Sequence, residues 1–485
     1  MTGSPSTKIR DNLDHPVIDA DGHLVETPPV LLDYLRQAGG QSLADDYLAR
    51  MKKGAWGTWS TLTPDQRRDR GVIRPPFWAM PAHTYDRATA LLPNLLRARL
   101  DEFGVDFMMV FPTVAIPFIS GAIEDDLRRG VCRAVNLMYA DVFSDHKDRM
   151  APAAAIPTHT PQEAIEELEF ACGHLGLKAA MIAGTVQRPL KAVHDIAPEL
   201  GGHAFWVDPL ALDSAYDYDP LWAKFAELGV APATHNNTMG WGMRRSGSNF
   251  VYNHIGHFAA AGEAFAKALF LGGVTHRFPQ LKFCFLEGGA GWASNLYNDL
   301  CEHWEKRNVA ALRANLDPAT VDRAQMRALF EQYGDERYRG HAAEIEKGYD
   351  HCLMAPTGEE IEPTDEFAAC GIKKGRDIYR RFVPNFYFGC EADDRMSAIA
   401  FNPRLNHFDA RLKAMFGSDV GHFDVPDMTQ VLAEAHELVD HGLITQDDFR
   451  DFTFSNVAEL HASMNPDFFK GTVVEDDVAK LMAAR

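Results

Sequence analysis

The segment Asp19-Ala20-Asp21-Gly22-His23-Leu24-Val25-Glu26 sets two carboxylates and an imidazole at alternate positions. Alternate residues of an extended strand point to one face, so Asp19, Asp21 and His23 share a side for as long as the strand lasts. Asp21 and His23 can then bind one cation, and Glu26 lies close enough to reach the same pocket. Read alone, the segment is equally well a polar turn. It gains weight from four other places where a short apolar run ends in ionisable residues. These are Thr234-His235-Asn236-Asn237, Phe285-Leu286-Glu287-Gly288-Gly289, Gly389-Cys390-Glu391-Ala392-Asp393-Asp394 and Gly417-Ser418-Asp419-Val420-Gly421-His422-Phe423-Asp424. Carboxylates gathered in an apolar setting repel one another and lose hydration, so such a set calls for a cation. His254 and His257 can share a helical face, although Gly256 leaves the conformation open; His257 is a further ligand candidate. His203, His276 and His303 read as surface or packing histidines.

The elements that must bring these residues together follow a βα rhythm. Eight candidate strands fall at 17–20, 107–111, 150–156, 179–183, 231–235, 282–286, 386–389 and 414–417. Several follow a helix that stops at glycine or proline, as at Phe103-Gly104, Leu175-Gly176, Leu228-Gly229 and Phe278-Pro279. Thr160-Pro161-Gln162-Glu163 opens a helix with a threonine cap, a proline and an acid in the first turn. The expected fold is an α/β (β/α)8 TIM barrel over 17–485, after a loose polar tail 1–16. Two helical insertions, 30–95 and 301–380, are expected to rise on its C-terminal face, where they can cover a site. An open doubly wound sheet is the alternative, weakened because no GxGxxG or GxxxxGK[ST] follows a strand.

The 485 residues include 48 basic and 68 acidic side chains, a formal charge of −20, and 46% are hydrophobic. Such a chain folds, and its charge argues against nucleic acid as a partner, because phosphate neutralisation needs a basic face. Local basic clusters remain at Arg244-Arg245, Lys373-Lys374-Gly375-Arg376 and Arg380-Arg381. The seven scattered cysteines, without a CxxC, point to reduced thiols and to neither a disulfide framework nor a thiolate zinc site. No apolar run approaches the ~18 residues that span a bilayer. The opening residues are polar, so no membrane partner and a cytoplasmic location are expected.

These residues resemble the amidohydrolase-2 branch of the amidohydrolase-related TIM-barrel proteins, which includes aromatic acid decarboxylases. The resemblance rests on Val17-Ile18-Asp19-Ala20-Asp21-Gly22-His23 and on Thr234-His235. It also rests on Arg277-Phe278-Pro279-Gln280-Leu281-Lys282-Phe283 leading to Glu287-Gly288-Gly289, and on Phe416-Gly417-Ser418-Asp419. Two departures matter. Where the family commonly has His-x-His after the first strand, this chain has Asp21-x-His23; where it has His-Gly-Gly after the sixth, Glu287 stands. Carboxylate-rich sets suit iron or manganese better than a lone catalytic zinc, and carboxylates can bridge two ions. The opening motif, the long insertions and Leu286-Glu287-Gly288-Gly289-Ala290-Gly291-Trp292 look like a narrower group, the TIM-barrel nonheme di-iron monooxygenases of platensimycin and platencin biosynthesis. That resemblance implies two iron ions, O2 as oxidant, an external electron donor and a lipophilic acyl-CoA substrate, diterpenoid in the known case, hydroxylated at an unactivated C–H.

On this reading the ligands are Asp21, His23, Glu26, His235, Glu287 and Asp419, followed by His257, Glu391 and His422. Asp424 or Asn236 is expected to orient a ligand from behind. Trp56, Trp59, Phe77 and Trp78 either wall a lipophilic substrate or pack a lid, and the basic clusters either hold coenzyme A phosphates or are solvated helix faces. The main rival is a mononuclear zinc or manganese hydrolase or nonoxidative decarboxylase with Asp419 as acid and base. A metal-stabilised scaffold without catalysis is a second rival. A homodimer is expected by analogy with other large barrels.

Overall fold

A computed structural model describes residues 3–52, 54–78, 80–121, 123–198, 204–235, 238–348 and 365–484. Its strands are β1 Ile18–Leu24, β2 Phe107–Pro112, β3 Met150–Ala155, β4 Ala179–Ile182, β5 Val186–Pro189, β6 Phe205–Asp208, β7 Pro232–Thr234, β8 Phe283–Phe285, β9 Phe386–Glu391 and β10 Lys413–Gly417. Eight of them pair in the order β1-β2-β3-β4-β7-β8-β9-β10, each pair parallel. The two ends of this sheet meet. The Asp419 amide donates to the Asp21 carbonyl and the His23 amide to the Val420 carbonyl, both at 2.8 Å, so the segment after β10 closes the barrel against β1. The strands are short apolar runs because both faces are covered: every residue of β2, β3 and β4 is buried.

All eight expected strands form, with two differences. β1 continues through Asp21 and His23 to Leu24, with its register against β2 shifting between Asp19 and Gly22. The antiparallel pair β5–β6 was not expected. Val186-Gln187-Arg188-Pro189 carries no apolar run; its partner strand is fixed by Arg188, whose Nε donates to Asp208 at 2.9 Å.

The polar tail is not loose. Pro5–Arg10 is a helix, with Ser4 accepting from the Thr7 amide at 2.9 Å and proline at its start. Ser6 is buried, and its Oγ accepts from the Leu432 and Ala433 amides at 3.0 and 3.3 Å. A serine-capped start outweighed the polarity on which the loose reading rested. The Thr160 helix start is as expected: Thr160 Oγ1 accepts from the Glu163 amide at 3.2 Å and the Thr160 amide donates back to Glu163 at 3.0 Å.

The first insertion folds as Pro28–Lys52, Ala55–Ser60, Pro64–Asp69 and Thr84–Leu91. Trp56 and Trp59 pack on each other at 5.0 Å, with the Arg67 guanidinium 3.6 Å from the Trp59 ring centre, so they form a small lid core. The second insertion contains Val309–Asn315, Arg323–Tyr333 and Ala342–Glu346; residues 349–364 within it lie outside the described set. No helix among the described residues is long and apolar enough to cross a membrane.

Two buried histidines outside the donor cluster tie stability to pH. Burial pushes His461, stacked on Phe468 at 4.3 Å, down to about 3. Burial, with Arg128 adding to it, pushes His159 down to about 4. Both rings stay neutral in the folded chain while the unfolded chain protonates them near the ordinary value of 6.5. The unfolded state therefore binds more protons below that value, and acid favours it. Stability is expected to fall as pH drops below about 6.5, by on the order of 1 kcal/mol per pH unit per group. His461→Phe should flatten that decline in urea unfolding between about pH 6.5 and 5; an unchanged slope removes His461 from the account.

Candidate metal centre

The centre is built at the barrel seam. Asp19, buried, accepts from the Ser418 amide at 2.9 Å, from Ser418 Oγ at 2.5 Å and from the Asp21 amide at 3.0 Å. One carboxylate thereby ties the end of β10 to β1 and sets the backbone from which Asp21 projects. Gly417 faces Asp21 so closely that a Cβ there would lie 2.8 Å from the Asp21 Cβ. Gly421 has φ +115°, and a Cβ there would lie 2.6 Å from the His23 carbonyl oxygen. Only glycine allows the chain to pass at either point.

Six side chains from β1 and from the segments following β7, β8 and β10 converge there. Asp21, His23, His235 and Glu287 form one group of donor atoms lying within 4.8 Å of one another, and His23, Glu287, Asp419 and His422 form a second. His235 Nε2 is 2.9 Å from Asp21 Oδ1. His23 Nε2 lies 3.3 Å from Asp21 Oδ1, 3.4 Å from Glu287 Oε1 and 3.4 Å from Asp419 Oδ1. His422 Nδ1 lies 2.7 Å from Asp419 Oδ1 and 3.4 Å from Glu287 Oε1. Glu287 and Asp419 are held at φ 57° and 51°, a left-handed conformation that costs a residue with a side chain on the order of 1 kcal/mol.

Charge balance at these groups is tight. Burial favours neutral forms, yet His23 is held up at about 9: burial and the neighbouring His422 oppose its charge, and the bonds to Asp21 and Glu287 outweigh them. His422 is raised well above its ordinary value against burial, chiefly by Asp419. Burial works to raise Glu287, but His23 and His422 beside it hold it well below the usual carboxylate range. In the protein alone, protons on the imidazoles therefore stand where a cation's charge fits. Several donor atoms find no well-aligned hydrogen bond and only these ionic contacts, or none: both ring nitrogens of His23, His235 Nδ1, Glu287 Oε2 and Asp419 Oδ1. Buried, mutually facing nitrogen and carboxylate donors with unspent hydrogen-bonding capacity fit a divalent cation.

Three other ligand candidates stand outside both groups. Glu26 is buried behind His23, with its Oε2 accepting from the Val114 amide at 2.7 Å, so it anchors the loop after β2. His257 is buried in the wall of the mouth with neither ring nitrogen paired, and burial, then the nearby His254, pushes it down to about 4. Glu391, at the end of β9, is pushed up to about 9 by burial and by the charges of Asp419 and Glu287. Asp424 lies at the rim, 3.9 Å from His254 Nε2. Asn236 lies outside the described residues, as does His203. The same rule of polar residues at strand ends could have found Thr113, whose Oγ1 is 3.0 Å from His422 Nε2. Arg244 was noted only as part of a basic cluster; its guanidinium lies beside Gly256 with a buried, unpaired Nε.

Above the donors lies a cavity of about 210 Å³ lined by Pro76, His257, Glu287, Glu391, Asp419, His422 and the aromatic rings of Phe250, Phe258 and Phe423. Trp78 packs edge-on against Phe250 at 5.6 Å and Phe423 at 6.3 Å, so the first insertion does reach the mouth. No described residue of 301–380 lines it, contrary to the expectation that both insertions cover the site.

A parallel barrel with a buried donor cluster at the C-terminal ends of its strands defines a metal-binding α/β-barrel protein. The family model described as Amidohydrolase matches residues 18–338, and the chain belongs to that family. Among solved structures it is similar to a dihydroxybenzoic acid decarboxylase from Polaromonas sp. JS666 with bound manganese and 2-nitroresorcinol (16% identity, 94% of this chain and 99% of that one, TM-score 0.48). It is similar to an amidohydrolase from Mycobacterium avium subsp. paratuberculosis K-10 (16% identity, 92% and 99%, TM-score 0.49). A third is 5-carboxyvanillate decarboxylase from Sphingomonas paucimobilis (15% identity, 92% and 98%, TM-score 0.48).

The raised Glu391 gives a test. Its folded value of about 9 exceeds the ordinary 4.5, so it costs stability increasingly as pH rises above 4.5. Glu391→Gln should stabilise the metal-free protein at neutral pH by about 1–3 kcal/mol in urea unfolding. The gain should vanish below the ordinary value of 4.5 and shrink when manganese is bound. A variant no more stable than the parent at neutral pH would show that Glu391 is not under this repulsion.

Proposed function

We propose that the chain is a metal-dependent enzyme that acts on a small carboxylate-bearing substrate without O2, by nonoxidative decarboxylation or by hydrolysis. The observation that carries this reading is the mouth itself: the buried donor cluster opens directly into a cavity of about 210 Å³. An apolar cavity of about 150 Å³ takes up benzene, so a single-ring carboxylate is of the right size. When bound there, a divalent cation such as manganese or zinc supplies a Lewis acid for a carboxylate or carbonyl oxygen, or lowers the pKa of water.

The remaining work falls to named residues. Asp21, His23, His235, Glu287, Asp419 and His422 would hold the cation or cations. Glu287 has two oxygens and can serve both donor groups, whereas His23 offers a single nitrogen to this pocket. Asp19 orients Asp21 through the Ser418 seam. Arg244, close enough for its charge to act on His257 in the cavity wall, supplies positive charge beside the cavity for an anionic group. His257 is kept neutral by burial, so one ring nitrogen accepts and the other donates. Glu391 and Asp419 are the carboxyls placed to hold a proton at the cavity and pass it to the substrate. Phe250, Phe258 and Phe423, backed by Trp78, exclude water.

A second reading, a di-iron monooxygenase acting on a lipophilic acyl-CoA, is favoured by two specific observations. The two donor groups share His23 and Glu287, and of these Glu287, with two oxygens, is the one that could serve two ions at once. A groove of about 1110 Å³ beside the lid is lined by Arg67, Arg68, Arg70 and Arg245, donors suited to coenzyme A phosphates. Iron would supply the redox chemistry with O2, and an external electron donor would be required.

One comparison separates the readings. Metal is quantified on anaerobically purified protein, which is then incubated with single-ring aromatic carboxylates without O2. The expected result is manganese- or zinc-dependent CO2 release or hydrolysis, reduced about 100-fold or more in Asp419→Asn. Two iron ions per chain, no anaerobic turnover and an O2-dependent gain of one oxygen atom on an acyl-CoA would overturn the first reading in favour of the second.

A further inference from the structure

A second cavity, of about 310 Å³, lies at the opposite end of the barrel. Its walls come from the first residues of β2 and β3, from Phe143 at the end of the helix Asp125–Val142, and from Phe468 in the C-terminal segment. Phe107, Phe143, Met150 and Phe468 are all buried and give the cavity an apolar floor, which Ala140, Leu175 and Leu177 extend.

Three lysines, Lys147, Lys178 and Lys470, line the same cavity. Lys178 Nζ donates to the carbonyl oxygens of Asp467 at 2.9 Å and Phe468 at 2.7 Å, which leaves one N–H. Lys147 makes no ion pair among the described residues, and Lys470 reaches only Asp467, at 3.7 Å between two exposed side chains. Among the described residues that line the cavity the one carboxylate, Asp148, is taken by Arg97. Burial lowers the Lys178 pKa; Asp467 and Glu475 offset part of that, and repulsion from Lys147 and Lys470 adds to it. In a chain of net charge −20, this is a local excess of positive charge around an apolar hollow.

We propose that this cavity binds a medium-chain acyl carboxylate, its tail among Phe107, Phe143 and Phe468 and its carboxylate on Lys178 and Lys147. The volume is within the usual range for small-ligand sites, about twice that of a cavity that holds benzene. The carboxylate supplies a counter-charge for Lys147, which has no ion-pair partner among the described residues, and takes the free N–H of Lys178. The bound tail also packs against Phe468, so the ligand holds the C-terminal segment to the barrel. The site is independent of the metal centre and of either reading of its chemistry.

The test uses isothermal titration and thermal unfolding of the full chain with octanoate, against octanol and acetate as controls. Octanoate is expected to bind with a stoichiometry of one and to raise Tm by about 2 °C or more at saturation. Octanol and acetate should bind at least about tenfold more weakly. Lys178→Met should weaken octanoate about tenfold, and the exposed Lys147→Ala serves should Lys178→Met fold poorly. Ala140→Phe, which fills the wall, should abolish binding, whereas loading with manganese should leave it unchanged. Equal binding of octanol, no saturable heat with octanoate, or octanoate binding that survives Ala140→Phe or depends on manganese would each overturn the proposal.

Discussion

Unbalanced charge at the mouth of a closed barrel is the constraint from which the rest of this structure follows. Asp21, Glu287, Glu391, Asp419 and Asp424 gather at one end of an apolar cylinder, with Glu391 feeling Asp419, Glu287 and Asp424 together. Like charges this close repel by several kcal/mol once water is excluded. Three imidazoles, His23, His235 and His422, stand among them, and in the protein alone protons on His23 and His422 provide part of the compensation. That compensation is provisional, since a ring that carries both protons cannot act as a ligand. The same atoms are arranged to exchange protons for a cation.

The geometry that permits this lies in the backbone at the seam rather than in the donors themselves. Asp19 sits under the donors, spends its carboxylate on Ser418 and Asp21, and contributes to neither donor group. Gly417 and Gly421 let the closing segment pass within contact distance of Asp21 and His23. Just past the ends of β8 and β10, Glu287 and Asp419 accept an unfavourable left-handed conformation, and their side chains share one space. A barrel closed elsewhere would have the same apolar core and no convergence of ligands.

Much of this was legible in the residue order. The eight parallel strands are short apolar runs, and such runs announce themselves when helices with clear stop signals separate them, as at Gly104 and Gly229. Ionisable residues after those runs located the donors, because a parallel barrel places strand ends at one mouth. What stayed hidden depends on distance rather than on type. Glu26 follows the same rule as Asp21 but is diverted to the Val114 amide. His257 comes from a helix beginning after Gly256 and reaches the cavity wall without joining the donors. The β5–β6 pair has no apolar signature, and the N-terminal helix rests on a serine cap in a stretch that reads as polar.

The first insertion gives the mouth a charge pattern opposite to that of its floor. Arg67, Arg68 and Arg70 from the lid face Arg245 across an open groove, while carboxylates crowd below Pro76 and Phe250. The whole chain carries −20, so at long range it repels an anion. Over distances shorter than the screening length of about 8–10 Å, the local arginines decide. On either proposed reading an anionic substrate would be favoured at the rim, and a cation at the donors would attract it further inward. Both chemical readings share this electrostatic requirement, so charge does not separate them. Size does: the inner cavity of about 210 Å³ is matched to a single ring, whereas an acyl-CoA would also need the separate groove of about 1110 Å³, whose lining shares no residue with the inner cavity.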